Sequence, residues 1–222
     1  MTFDFSPVWD GAGTLLHGAA VTLGVTAASL VLSCALGLIA GIARLDRRRR
    51  IAYAAASLYL LFIRGTPLLV QLFLLFFGLP QFGITLPAIV CAVLGLGVYS
   101  GAYVSEVVRG AILSVERGQI EAARSLGLSR AQAMRRVVLP QAALRAIPPL
   151  GNEAIALIKN SALVSLLTIS DLMHAGEQII SVSYRSLEVY LAVALIYLAM
   201  TSAAATALRM TERRLRRGGL LR

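Results

Sequence analysis

Charged residues are absent from three long stretches of the chain. Residues 11–43 contain no Asp, Glu, Lys or Arg, and neither do residues 65–105 or residues 189–208. A helix needs about 20 predominantly apolar residues to cross the roughly 30 Å hydrocarbon core of a bilayer. Each stretch is long enough for at least one crossing. The pattern therefore predicts an all-α integral membrane protein with several transmembrane helices.

The residues between the apolar segments predict five spans in a single domain, residues 1–222. The cluster Asp46–Arg50 closes the first span, and a turn rich in Gly and Pro at residues 78–87 separates the second from the third. We expect no removable signal peptide, since the N-terminus lacks a charged region followed by a cleavage site. The predicted spans cover residues 14–43, 51–79, 87–113, 147–170 and 188–209.

Composition supports this class of protein and the positions of the charges give its orientation. Hydrophobic residues make up 58% of the chain and charged residues 14%, which argues against a soluble enzyme and against a disordered tail. Residues 44–50, 109–145 and 209–222 hold five, seven and six of the 21 basic residues. This bias predicts an outer N-terminus and a cytoplasmic C-terminus. The net charge of +10 is then explained by topology and anionic lipid rather than by nucleic acid.

No pattern in the chain is typical of catalysis. His17 and His174 lie far apart, and Cys34 and Cys91 fall within different predicted spans, so no metal-ligand cluster is expected. There is no nucleophile with a neighbouring base and no glycine-rich phosphate loop. We therefore expect no catalytic residue, no metal and no cofactor in this chain, and a protein that is not an enzyme.

The cytoplasmic segment at residues 118–140 is the most informative part of the chain. Helix-forming residues lead to Gly127, a residue suited to ending a helix, and Ser129 with Gln132 forms a capping-box pattern that begins a second helix. Pro140 is expected to limit or kink that helix. The resulting helix-turn-helix fits a pair lying on the membrane surface, a DNA-binding motif or a docking element. The loop is short for a DNA-binding motif, which needs a supporting third helix.

The spacing of this segment resembles the cytoplasmic signature of ABC-importer permeases. The signature is an acidic residue and two alanines, then a glycine, then an aliphatic residue and Leu-Pro. Val137 stands where the family more often has Ile. The matching residues are Glu121, Ala122, Ala123, Gly127, Val137, Leu139 and Pro140.

Three further segments resemble the polar amino-acid branch of that family. They are residues 62–71 in span two, residues 101–110 in span three and residues 148–163 in span four. Asn160 departs from the family pattern, which usually has Asp after the lysine of span four. Residues 1–9 and 177–188 resemble glutamine-type permeases and residues 78–83 resemble cystine-type ones, so the substrate stays open.

The resemblance implies an importer with several subunits in the bacterial inner membrane. It implies a second permease chain, identical or paralogous, a dimer of cytoplasmic ATPase subunits that bind ATP, and an extracytoplasmic solute-binding protein that delivers an amino acid. The helix pair would be the element that couples the permease to the ATPase. The chain itself has no nucleotide-binding motif, so its energy source must be a partner.

Charged residues at membrane depth suggest a polar path for the solute. Arg64, Glu153 and Lys159 are costly there and normally face protein or water. They could line the path, or they could form a structural network that joins spans two and four. Arg64 precedes a break in span two, where a helix end can meet a substrate carboxylate. The other candidate path residues are Thr66, Asn152 and Ser161, and Glu106 is expected to pair with Arg109.

Two other classes of function compete with the importer. A stand-alone channel or secondary transporter would have no use for an ATPase-docking signature. A membrane-tethered interaction or sensor protein would lack polar residues at membrane depth. Both features are present in the sequence, and they favour the importer.

Overall fold

The computed structural model describes residues 3–217, and each regular element in that range is helical. The two ends of the predicted domain, including Arg222 of the basic tail, lie outside the described residues. Three helices are long and apolar enough to cross a membrane, or up to five if each of two bent pairs counts as one span. The α-helices are α1 (Ser6–Asp10), α2 (Ala12–Ala43), α3 (Arg50–Gly65), α4 (Leu68–Phe73), α5 (Ala88–Leu113), α6 (Arg117–Ser125), α7 (Arg130–Ala133), α8 (Leu139–Asn160), α9 (Leu172–Ser183) and α10 (Ser186–Arg217).

Helices α2 and α5 form the centre of the fold and match the predicted first and third spans closely. They approach each other through small residues, as helices in membranes commonly do. A Cβ added at Gly41 would lie 2.8 Å from the Ser105 carbonyl oxygen, and one at Gly97 would lie 2.7 Å from Leu32 Cδ2. The main apolar core extends from this contact to α4, α8 and the segment after α8.

The predicted second span, 51–79, is bent sharply at the break expected after Arg64. Helix α3 ends at Gly65, and the chain turns through 106° before α4 continues at Leu68. Gln71 stabilises this bend, because its buried Nε2 donates to the Ile63 carbonyl at 2.9 Å and to the Thr66 hydroxyl at 2.8 Å. A π-helical turn, Leu74–Gly78, and a 3-10 turn, Leu79–Phe82, then lead towards α5.

The predicted fourth span, 147–170, belongs to a helix that begins well before residue 147. Helix α7 continues through a π-helical turn, Met134–Val138, into α8, and a 3-10 segment, Ser161–Leu167, follows. Pro140 does not end the helix, because the π-helical turn directly before it accommodates the hydrogen bond that its missing N–H cannot make. The second helix of the cytoplasmic pair and the fourth span therefore form one continuous helical segment.

Helix α9 occupies the segment that was expected to be an outer connection, residues 171–187. The Asp171 side chain caps it by accepting a hydrogen bond from the backbone N–H of His174 at 3.0 Å. Leu172, Ala175 and Ile179 are buried against α2 and α10. This side of the molecule is thus closed by a packed helix.

Candidate functional site

The two helices at residues 117–138 meet in a turn with defined hydrogen bonds at both ends. Gly127 has a φ of +84°, its N–H donates to the Arg124 carbonyl at 3.0 Å, and the Leu128 N–H donates to the Ala123 carbonyl at 3.2 Å. This pair of bonds is a Schellman motif, which needs a left-handed residue at the position of Gly127. The predicted helix end at Gly127 is therefore confirmed.

The predicted capping box at the start of α7 is also present. The Ser129 hydroxyl accepts from the Gln132 N–H at 3.2 Å, and the Gln132 side-chain oxygen accepts from the Ser129 N–H at 2.8 Å. Both helix ends at the turn thus have their backbone groups satisfied, which holds the two helices at a fixed angle.

The inner surface of the helix pair packs on the ends of α5 and α8. Val138 is 1% exposed and lies in one apolar cluster with Ile112 and Val115, and Ile120 packs against that cluster from α6. The Gln141 amide also donates to the Gln119 side-chain oxygen at 3.4 Å. Movement of the helix pair must therefore move the adjoining ends of α5 and α8.

The signature residues divide between the two surfaces of the pair. Glu121 and Ala122 are exposed on α6, and Pro140 is exposed on α8. Ala123 is buried, and Val137 and Leu139 are partly buried. The exposed surface also carries Leu126, which is 85% exposed beside the turn.

Glu106 binds three arginines from three parts of the fold. Arg44, at the end of α2, forms a hydrogen-bonded ion pair with its Oε1. The guanidinium of Arg64, in the last turn of α3, lies 3.7 Å from the same oxygen, and that of Arg109 lies 3.9 Å from Oε2. Arg109 is the partner expected from sequence, whereas Arg44 and Arg64 were not predicted. Three cations around one carboxylate leave an excess of positive charge.

Arg64 also connects this cluster to two tyrosines on α5. Its guanidinium lies 5.3 Å from the centre of the Tyr103 ring, within the range of a cation–π contact. The Tyr103 hydroxyl is 3.1 Å from that of Tyr99. The Arg64 side chain remains 45% exposed, so water or a solute can reach it.

Glu153 reaches α5 from the opposite side. Its Oε1 accepts a hydrogen bond from the Ser100 hydroxyl at 2.7 Å. Arg64 and Glu153 each contact α5, and neither contacts the other. Any structural network that joins spans two and four therefore runs through span three.

The remaining candidate path residues lie in different environments. Asn152 and Lys159 are exposed and lie seven positions apart, on one face of α8. The Thr66 hydroxyl is used in the bend, where it donates to the Phe62 carbonyl at 2.9 Å. Ser161 is fully buried and its hydroxyl donates to the Ile158 carbonyl at 2.7 Å. Within a single copy of the chain, the candidate path residues thus do not come together in one cluster.

Metal ligands do not gather anywhere in the described range. Between residues 3 and 217, no group of three or more His, Cys, Asp or Glu side chains could hold a metal ion. The polar clusters consist instead of ion pairs and hydroxyl groups.

Comparison with known proteins gives one consistent result. Residues 33–217 match the family described as "Binding-protein-dependent transport system inner membrane component". The chain is 38% identical over 218 residues to the glutamine transport system permease protein GlnP of Escherichia coli K12, covering 97% of this chain and 99% of that protein. It is 35% identical over 222 residues to the L-cystine transport system permease protein TcyL of Bacillus subtilis 168, covering 97% and 92%.

A solved structure agrees along almost the whole chain. The crystal structure of an amino acid ABC transporter with histidines contains a chain that superposes with a TM-score of 0.92 at 41% identity. The match covers 97% of this chain and 100% of that one. The arrangement of helices described above is therefore that of an importer membrane subunit.

Proposed function

Because the chain belongs to the family of binding-protein-dependent transport system inner membrane components, we propose that it carries a polar amino acid across the membrane and that its helix pair docks on an ATPase partner. The chain is a permease subunit of the bacterial inner membrane and a transport protein rather than an enzyme. ATP is bound by the partner, so this chain needs no cofactor of its own.

The observation that carries the coupling role is the construction of the helix pair. Its turn is fixed by a Schellman motif and a capping box, its inner surface is packed on α5 and α8, and its outer surface presents Glu121 and Leu126. A partner that moves this surface on ATP binding would move two membrane helices together. The signature residues then have three kinds of role. The exposed ones contact the partner (Glu121, Ala122 and Pro140), Gly127 forms the turn, and the others pack the pair on the membrane helices (Ala123, Val137 and Leu139).

The proposed topology has five spans, with the N-terminus outside and the C-terminus in the cytoplasm. The two bent pairs each count as one span in this arrangement. The bias of basic residues supports the orientation, since the arginine-rich segments at residues 44–50, 109–145 and 209–217 then lie on the cytoplasmic side.

A second permease chain, identical or paralogous, is proposed to complete the path. Helix α8 exposes Asn152 and Lys159, and polar groups at membrane depth need a protein or water environment. A partner chain that covers this face would provide one. Arg64, Thr66, Asn152, Glu153 and Lys159 are assigned to the path on this basis, with Arg64 meeting the solute carboxylate, whereas the fully buried Ser161 is assigned to helix packing.

The substrate class follows from relatives that are named for glutamine and L-cystine. Uptake of radiolabelled amino acids tests it, in a strain of the source bacterium with and without this gene. We expect loss of uptake of one polar amino acid and recovery on complementation, with uptake of an apolar amino acid such as leucine unchanged. Unchanged uptake of glutamine, cystine, histidine and arginine in the deletion strain would contradict the proposal.

A further inference from the structure

An apolar groove of about 590 Å³ lies at the arginine-rich end of α2. Its volume falls within the range of about 300–1,000 Å³ that is usual for small-molecule sites. Helix α2, the start of α3 and the helix pair all contribute to its walls. The groove is lined by residues that include Leu38, Ile39, Ile42, Ala52, Met134 and Leu139.

The groove opens on the lipid-facing side of α2. Ile39 is 68% exposed, and Leu38 and Ile42 are 48% and 45% exposed. Large apolar side chains at the end of a membrane-spanning helix are expected to contact acyl chains. The groove is thus an apolar recess that is continuous with the hydrocarbon region.

Three arginines that have no acidic partner among residues 3–217 lie directly beyond the groove. Arg48, Arg49 and Arg50 are exposed, and Arg49 lines the groove itself. The neighbouring arginines are engaged elsewhere, since Arg44 binds Glu106 and the guanidinium of Arg47 lies 5.7 Å from the centre of a tyrosine ring.

Asp46 is the one acidic residue among the groove's lining residues. Its Oδ1 accepts the backbone N–H of Arg48 at 3.0 Å. One carboxylate beside three free guanidinium groups leaves a positive surface at the level where phospholipid headgroups lie.

We propose that this groove binds an anionic phospholipid, with an acyl chain between α2 and the helix pair and the headgroup phosphate at Arg48–Arg50. A basic cluster next to an apolar recess at the end of a membrane helix matches both parts of such a lipid. Met134 and Leu139 belong to the segment that joins the helix pair to α8. A bound lipid therefore contacts the proposed coupling element, and its occupancy changes how firmly that element is held.

Native mass spectrometry of the purified full-length chain tests the site with two probes, dioleoylphosphatidylglycerol and dioleoylphosphatidylcholine. Their acyl chains are identical, so any difference in affinity reports the headgroup charge. We expect tighter binding of phosphatidylglycerol, with about a fivefold loss of affinity for each arginine removed at the site. Equal affinity for the two lipids would overturn the proposal.

Two variants separate the site from the general charge of the surface. Arg48→Gln/Arg49→Gln/Arg50→Gln should lose the preference for phosphatidylglycerol. The matched control, Arg209→Gln/Arg213→Gln/Arg214→Gln, removes the same charge from the end of α10 and should retain it. An equal loss in both would overturn the proposal, because the attraction would then be diffuse.

A third variant tests the groove without changing any charge. Ala52→Trp fills the recess and should reduce binding of both lipids, provided that the variant elutes as the wild type does in size-exclusion chromatography. Wild-type affinity in a correctly folded Ala52→Trp variant would overturn the acyl-chain site.

Discussion

The Arg64 guanidinium lies 3.7 Å from the carboxylate of Glu106, which also binds Arg44 and Arg109. One acidic side chain on α5 thus joins the end of α2 and the bend after α3. Arg64 is the most exposed of the three arginines, with 45% of its side chain accessible against 17% for Arg44. It is therefore the member of the cluster that a solute carboxylate can reach at the smallest cost to the fold.

Replacing Arg64 should affect transport more than stability. Arg64→Ala leaves the partly buried Arg44–Glu106 pair intact, and partly exposed ion pairs contribute about 1 kcal/mol or less. We expect a raised half-saturating solute concentration, or loss of transport, with the complex still assembled. Uptake kinetics and thermal unfolding in detergent measure the two effects. Normal uptake with a lowered unfolding temperature would show that Arg64 is structural.

Replacing Glu106, in contrast, should lower the stability of the protein more than replacing Arg64 does. Glu106→Gln removes the anion that offsets three neighbouring guanidinium groups, so their mutual repulsion is uncompensated, and Arg44, which is only 17% exposed, loses its ion-pair partner. The unfolding temperature of Glu106→Gln should fall further than that of Arg64→Ala, measured in the same detergent. A smaller fall would mean that the cluster is held by contacts other than these ion pairs.

The contact between α2 and α5 predicts opposite effects for two glycines of the same helix. A Cβ at Gly41 would lie 2.8 Å from the backbone oxygen of Ser105, whereas one at Gly24 meets no heavy atom of the described residues within 4 Å. Gly41→Ala should cost about 1–3 kcal/mol through overpacking. Gly24→Ala should be neutral or stabilising by up to about 1 kcal/mol. Thermal unfolding of both variants checks this, and equal effects would contradict the packing described.

The turn of the helix pair requires a left-handed conformation but has room for a side chain. An added Cβ at Gly127 meets nothing within 4 Å in the described part of the chain, so the penalty comes from its φ of +84°. Gly127→Leu should cost about 1–2 kcal/mol locally and lower uptake and ATPase co-purification. Gly127→Asn should retain most activity because Asn tolerates this conformation. Equal loss in both variants would point to crowding by a partner.

Reporter fusions test the proposed orientation. A reporter that is active only in the cytoplasm should work when fused after Arg222 and should fail when fused after Gln81, which lies between the bent second span and α5. Periplasmic alkaline phosphatase at the same two positions should give the reverse pattern. Cytoplasmic activity at Gln81 would contradict the five-span arrangement.

Sequence periodicity predicted the helices whose whole length is apolar. The predicted spans 14–43 and 87–113 start two residues after α2 and one residue before α5, and they end at the same residues as these helices. The first segment has no charged residue and the second has only Glu106 and Arg109, and both are bounded by clear turn or charge signals, so local pattern is enough to define them.

The features that the sequence could not predict depend on contacts between distant residues. The break in span two was expected at residues 64–67, but its angle of 106° and the Gln71 side chain that holds it were not, because a glutamine at that position has no local signature. The partners of Glu106 beyond Arg109 lie on other helices. Helix α9, in contrast, had a readable signal, because Asp171 precedes buried residues at helical spacing, Leu172, Ala175 and Ile179.

The coupling surface is tested most directly by reversing the charge of Glu121. This residue is exposed on α6, so its replacement should leave the packing of the helix pair unchanged. We predict that Glu121→Lys reaches the membrane at wild-type levels but loses ATPase co-purification and at least about tenfold of its uptake, equivalent to 1.4 kcal/mol of partner binding. The control Glu212→Lys, which makes the same charge change on α10, should behave as wild type. Full uptake and full ATPase retention in Glu121→Lys would contradict the assignment of this helix pair as the coupling element.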